Sequence, residues 1–125
     1  MNLLLDTHIF IWCVDDDPKL SAAAWSMIEA ADAVYVSSAS LWEATIKHQL
    51  GRLHVEPERL ADAVNASGFL ALSISLRHAV AVGRLPTLHR DPFDRLLLAQ
   101  AISEPLHLLT ADAQLVSYST LVQLV

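Results

Sequence analysis

Four carboxylates, Asp6, Glu43, Asp94 and Asp112, lie far apart in the chain, yet each falls at or just after the start of a predicted helix that follows a strand or loop. Asp6 closes the apolar run Leu3-Leu4-Leu5, Glu43 lies in Ser40-Leu41-Trp42-Glu43, Asp94 in Asp91-Pro92-Phe93-Asp94-Arg95, and Asp112 in Leu108-Leu109-Thr110-Ala111-Asp112. One at a time, each has a plain structural explanation. Ser40 and Glu43 match a capping box, Asp91 precedes Pro92 as an N-cap would, and Asp94 would complete a similar reciprocal cap. Thr110 could cap a short helix in which Asp112 favours the positive end of the dipole. Together the acids invite a second reading. Gathered at one edge of a sheet, four like charges repel, and a divalent cation resolves that conflict. An all-oxygen donor set suits Mg²⁺ or Mn²⁺. Such a centre hydrolyses phosphodiesters with activated water, a second ion stabilising the leaving oxygen, and needs no protein nucleophile.

The elements that must position these acids follow from apolar pattern and punctuation. Asn2 to Leu5, Ala33 to Val36, Phe69 to Leu72, Leu106 to Leu109 and Leu121 to Leu124 are short apolar runs expected as buried strands. Between them, helices are predicted over 7–14, 21–31, 41–50, 56–67, 75–83 and 92–103, with Gly51 and Gly68 as stops and Pro92 at a first helical position. Strands alternating with helices predict a three-layer α/β/α domain with a mostly parallel sheet, one domain over 1–125. Ligands of such sheets bind beyond the carboxyl ends of the strands, where Asp6 and the segments leading to Glu43 and Asp112 emerge.

Composition sets limits on the function. The chain has 125 residues, 54% of them apolar, with a net charge of −6 and a mean hydropathy of +0.39. That acidic balance argues against binding nucleic acid by bulk electrostatics, although Arg90 and Arg95 flank the Asp91–Asp94 segment and could place a phosphate locally. The apolar surplus predicts an oligomer. No run approaches a membrane span of about 20 apolar residues, and the apolar N-terminus lacks the basic lead of a signal peptide. The lone Cys13 cannot form an internal disulfide. A cytoplasmic protein with no membrane association is expected.

The ordered segments Leu4-Leu5-Asp6-Thr7-His8, Ser40-Leu41-Trp42-Glu43-Ala44-Thr45-Ile46-Lys47, Arg90-Asp91-Pro92-Phe93-Asp94-Arg95 and Leu109-Thr110-Ala111-Asp112 resemble those of PIN-domain ribonucleases, most closely the VapC-like toxins of toxin–antitoxin pairs. The resemblance covers essentially the whole chain. It implies an Mg²⁺- or Mn²⁺-dependent endoribonuclease that acts on RNA, forms a homodimer and is inhibited by a cognate antitoxin. Carried over by position, Asp6, Glu43, Asp94 and Asp112 are its metal-site acids, with Asp91 a supporting acid or helix cap. Thr7 and Thr110 are placed to hydrogen-bond a carboxylate, or to serve as turn and cap hydroxyls. Lys47, one turn beyond Glu43, could hold that carboxylate or approach RNA, and Arg95 could contact phosphate or pair with Asp91. Trp12, Trp25 and Trp42, each in an apolar helical context, read as core or interface residues rather than stacking platforms.

Other chemistries have less support. The chain has six histidines, with His8 and His89 nearest the acids, but no His-Glu-x-x-His motif and no close His/Cys pair, so zinc is disfavoured. A Gly-rich phosphate loop is missing, which removes nucleotide kinases and nicotinamide enzymes. An aspartate-based phosphatase would use Asp6 as nucleophile but usually carries a second Asp two residues on, where this chain has His8. A catalytically silent PIN-fold binding module is the other alternative.

Overall fold

The computed structural model describes residues 1–88 and 91–125. Among them, five strands form one parallel sheet: β1 (Asn2–Leu5), β2 (Ala33–Ser37), β3 (Leu70–Leu72), β4 (His107–Thr110) and β5 (Val122–Leu124), in the order β3-β2-β1-β4-β5. Leu4 of β1 stands beside Tyr35 of β2 and beside Leu108 of β4. The chain therefore builds outward from β1 in one direction, then returns to its other side. That reversal opens a crevice at the carboxyl end of β1, the place where parallel sheets bind ligands.

Side chains of β1 alternate between the two faces, and both faces are covered. Leu3 and Leu5 join Ile9, Phe10, Ile28, Leu60 and Val64 in one core. Leu4 joins Leu97, Leu98, Leu108, Leu115 and Val122 in the other. The first core is closed by helices α1 (Thr7–Val14), α2 (Ala22–Ala30) and α4 (Pro57–Ala66), the second by α6 (Pro92–Ser103) and a 3-10 helix at Ala113–Tyr118. Helix α3 (Ser38–Gln49) serves both, with Ala44 in one core and Ala39 in the other. Helix α5 (Leu76–Ala81) runs into a 3-10 turn at Val82–Arg84 and packs against α6. This is the expected α/β/α architecture, with a sheet that is parallel throughout. Among the described residues, no helix is long and apolar enough to cross a membrane.

Local signals account for most boundaries. Pro92 opens α6 at its first position, with the Asp91 side chain accepting from the N–H groups of Phe93 and Asp94. Gly51 and Gly68 follow α3 and α4 with φ of +72° and +76°, the left-handed region that favours glycine. The main departure lies in α3, which begins three residues before the expected Leu41. Ser37 at the end of β2 accepts from the Ala39 N–H and so caps the helix itself. Strand and helix therefore meet without a loop.

Candidate active site

Each acid is delivered to the carboxyl edge of the sheet by a different element. Asp6 follows β1 directly and is the N-cap of α1, its Oδ1 accepting the Thr7 N–H at 2.7 Å. Its other oxygen, Oδ2, accepts the Thr110 hydroxyl at 2.7 Å. Thr110 ends the neighbouring strand β4, and its oxygen accepts the Asp112 N–H at 3.0 Å. Asp112 in turn caps the following 3-10 helix through the Gln114 N–H. One hydrogen-bonded chain thus links Asp6, Thr110 and Asp112 across two adjacent strands.

Glu43 enters from α3. Because Ser37 is the N-cap, Ser40 and Glu43 lie inside the helix, and the capping box that the sequence suggested for them does not form. Ser40 instead accepts the Thr7 hydroxyl at 2.9 Å, tying α3 to the start of α1. Glu43 is only 5% exposed. One carboxylate oxygen pairs with Lys47 Nζ at 2.9 Å, whereas the other, Oε1, is buried with no hydrogen-bond partner among the described residues. Helix stabilisation does not explain a buried glutamate in this state. An unsatisfied buried carboxylate oxygen is costly.

The electrostatics of Asp6 point the same way. Burial pushes its carboxyl above the usual aspartate range, and the nearby Glu43 charge adds to that rise, while the Thr110 hydroxyl, His8 and the Thr7 N–H pull against it. Two buried carboxylates that repel and yet stay buried form a site that a cation would relieve. Thr110→Val is expected to cost about 1.5 kcal/mol through loss of a hydrogen bond to a charged group and to raise the Asp6 pKa further, as read by chemical melts and by NMR titration of the carboxyl carbon.

Asp94 sits in the first turn of α6, and α6 packs against both α3 and β4. The Phe93 ring, next to Asp94 in that first turn, meets the ring of Trp42, next to Glu43 in α3. Among the described residues, no three His, Cys, Asp or Glu side chains form a ready-made metal cage. Mg²⁺ does not need one, because it keeps several waters and is commonly held by one or two carboxylates. Asp6 and the open oxygen of Glu43 supply that minimum, so the residues fit a hard divalent ion.

The supporting residues divide. Lys47 holds Glu43 and lies 3.4 Å from His8 Nε2. Arg95 donates to the carbonyls of Pro86 at 2.7 Å and Val82 at 3.1 Å, fastening the turn before α6. Asp91 is the α6 cap. Thr7 meets Ser40 through its hydroxyl and Asp6 through its backbone. Arg90 and His89, weighed as phosphate and zinc contacts, lie outside the described residues. Two positioning residues have no role in the sequence reading: Ser37, which caps α3, and Gln100, which is fully buried and accepts the Ser37 hydroxyl at 2.5 Å. The available signal was a lone glutamine inside the apolar stripe Leu96-Leu97-Leu98-Ala99-Gln100-Ala101.

Comparison with known proteins places this geometry in a family. The PIN domain model matches residues 3–120. Ribonuclease VapC22 of Mycobacterium tuberculosis (strain ATCC 25618 / H37Rv) is 31% identical over 123 residues, covering 94% of this chain and 92% of the relative. Among solved structures, VapBC2 from Rickettsia felis bound to a DNA fragment from its promoter superposes with a TM-score of 0.70 at 18% identity, covering 98% of this chain and 96% of that one. A toxin–antitoxin complex from Klebsiella pneumoniae gives 0.62 at 22% identity, covering 88% and 86%. At those identities the structures attest the fold, and the family assignment rests on the domain match and the VapC22 relative. With the buried Asp6 and Glu43 in electrostatic reach of each other beyond the end of β1, this chain belongs to the PIN-domain family and, within it, to the VapC-like proteins.

Proposed function

We propose that the chain, as one nuclease domain over 1–125, is an Mg²⁺- or Mn²⁺-dependent endoribonuclease and the toxin of a cytoplasmic toxin–antitoxin pair. The observation that carries this reading is the buried Glu43 carboxylate, whose Oε1 has no hydrogen-bond partner among the described residues, in electrostatic reach of the desolvated Asp6. Asp6 and Glu43 would hold the ion, and Asp94 and Asp112 would act from the starts of their helices. The bound ion supplies Lewis acidity, activating water and offsetting charge on the phosphate. Thr110 and the Thr7 N–H fix the Asp6 carboxylate, and Lys47 fixes one oxygen of Glu43. Both Asp6 oxygens already accept hydrogen bonds, which suits a ligand better than a phospho-accepting nucleophile.

The antitoxin finds support in a groove of about 220 Å³ between α3 and α4, lined by Val36, Leu41, Ala61, Val64 and Ala71, which suits an amphipathic segment. Dimerisation finds support in the apolar side chains that α5 leaves in solvent, Leu76 at 88% and Val80 at 64% exposure.

Purified chain freed of its partner is expected to cut structured RNA only when Mg²⁺ or Mn²⁺ is supplied. Excess chelator should abolish cleavage and added metal should restore it. Sequencing of RNA ends after brief expression would identify the substrate in the same preparation. Undiminished cleavage in chelator would remove the metal from the mechanism.

A further inference from the structure

The rim of the crevice carries an aromatic pair that packing does not explain. Trp42 is 59% exposed, unlike Trp12 and Trp25, which are partly buried against the core. Its ring meets Phe93 edge to face, with centroids 5.2 Å apart and an interplanar angle of 76°. The pair bridges α3 and α6, and each ring belongs to the residue immediately before a site acid, Glu43 or Asp94. Successive residues on a helix point about 100° apart. Glu43 therefore turns inward, at 5% exposure, while the indole beside it stands on the lip.

An indole that is 59% exposed gains less for the fold than a buried one. Its burial on the molecule forgoes most of the roughly 1.5–3 kcal/mol available to a large apolar side chain. Its geometry does suit a flat ligand. The phenyl contact fixes the tilt of the indole and leaves ring surface open, and consecutive Cα atoms are only about 3.8 Å apart. A strand whose phosphate lies at the acids therefore brings a neighbouring base within reach of Trp42. Base stacking on an aromatic tolerates any sequence, because every base has a π-face. It also needs no basic surface, which a chain of net charge −6 largely lacks.

We propose that Trp42, braced by Phe93, is a stacking platform for an unpaired base of the RNA next to the scissile phosphate. The assignment rests on the nuclease reading above and adds a binding and positioning residue to it. A protein surface is a weaker occupant. An apolar groove lies on the α4 side of α3, and among the described residues the most exposed large apolar side chain is Leu76 on α5.

The test uses the full chain carrying Asp6→Asn, with Mg²⁺ present. The probe is a fluorescein-labelled single-stranded 12-nucleotide oligoadenylate, beside a second probe with one internal abasic ribose. Trp42→Ala is expected to weaken binding of the intact probe about tenfold, from the usual worth of one stacked base, with an unchanged melting curve. Trp42→Phe should recover most of the affinity. It should also remove the component of tryptophan quenching on RNA addition that belongs to residue 42. The abasic probe, scanned through all positions, should lose affinity at one register in the Trp42 chain and nowhere in Trp42→Ala.

Equal affinities for Trp42 and Trp42→Ala would overturn the platform, as would failure of either chain to bind the probe. A change confined to sedimentation, or to capture of the cognate antitoxin with RNA affinity intact, would assign the pair to a protein interface and also refute it. Cleavage by Asp6→Asn would instead sink the nuclease reading while leaving the Trp42 comparison legible.

Discussion

Asp6→Asn is expected to lower RNA cleavage by roughly a thousandfold or more, the equivalent of about 4 kcal/mol in the barrier, while making the metal-free protein more stable. The two effects have one cause. Asn matches Asp in shape, and its groups can be satisfied in place: Oδ1 accepts the Thr7 N–H, and the amide donates to the Thr110 oxygen, which already accepts from Asp112 N–H. The substitution removes a charge that burial and Glu43 both disfavour. Chelator melts at neutral pH should therefore place the variant at or above the parent, and saturating Mg²⁺ should reverse the order, because only the parent binds the ion tightly.

The pH dependence has a definite sign. The folded-state pKa of Asp6 lies above its unfolded value, so the folded chain takes up the proton first as pH falls. Its stability in chelator should rise as pH drops through the folded pKa toward the unfolded one, then level off. The variant should lack this component. If Asp6→Asn melted well below the parent in chelator, the carboxylate would be a structural cap and the metal reading would lose its main support.

Much of this arrangement is legible in the chain because its signals are local. Pro92 after Asp91, the apolar run ending at Asp6, and Gly51 and Gly68 beyond their helices each mark a boundary through the chemistry of one or two residues. The sheet order is a consequence of topology rather than of any residue, yet alternating strands and helices already constrained it. The start of α3 was misplaced for a physical reason. Ser37, Ser38 and Ser40 are all competent caps, and the choice falls to Ser37 because its hydroxyl donates to the carbonyl oxygen of Gln100, 63 residues away. Of the two readings of Trp42, core or interface, its exposure removes the core one. Its apolar context promised burial, but helical geometry gave the inward position to Glu43. Long-range hydrogen bonds and the facing of one side chain depend on partners that no local window contains. The acids themselves were found from spacing and resemblance, and the sequence alone could not choose between caps and ligands. In the structure Asp6, Asp91 and Asp112 all cap helix starts, whereas Glu43 caps nothing and keeps a buried oxygen with no hydrogen-bond partner among the described residues.

Gln100→Leu is expected to produce the largest loss of stability, about 3 kcal/mol or roughly 10 °C in melting temperature. Gln100 is fully buried in the middle of α6. Its carbonyl accepts the Ser37 hydroxyl at 2.5 Å, and its amide nitrogen lies 3.3 Å from His78 Nδ1 and 3.5 Å from the Ser73 carbonyl. The His78 ring also accepts the Ser75 N–H through Nδ1 and reaches Glu104 through Nε2 at 2.6 Å. With donors facing Nδ1, the ring carries its proton on Nε2, toward the carboxylate. One amide thus ties the end of β2, the cap of α3 and the cap of α5 together. Leucine fills the space but strands the hydroxyl of Ser37 and one face of His78, and a buried polar group left alone costs more than the hydrogen bond it lost. Activity should fall with the fold, because α3 carries Glu43 and its first turn would relax. The double variant Ser37→Ala/Gln100→Leu distinguishes this account from simple repacking. Removing both partners should destabilise by at least 1 kcal/mol less than the two single losses added together, since neither partner is then left unpaired. Strict additivity in denaturant melts would mean that Gln100 acts through packing alone, and that the α3 cap holds without it.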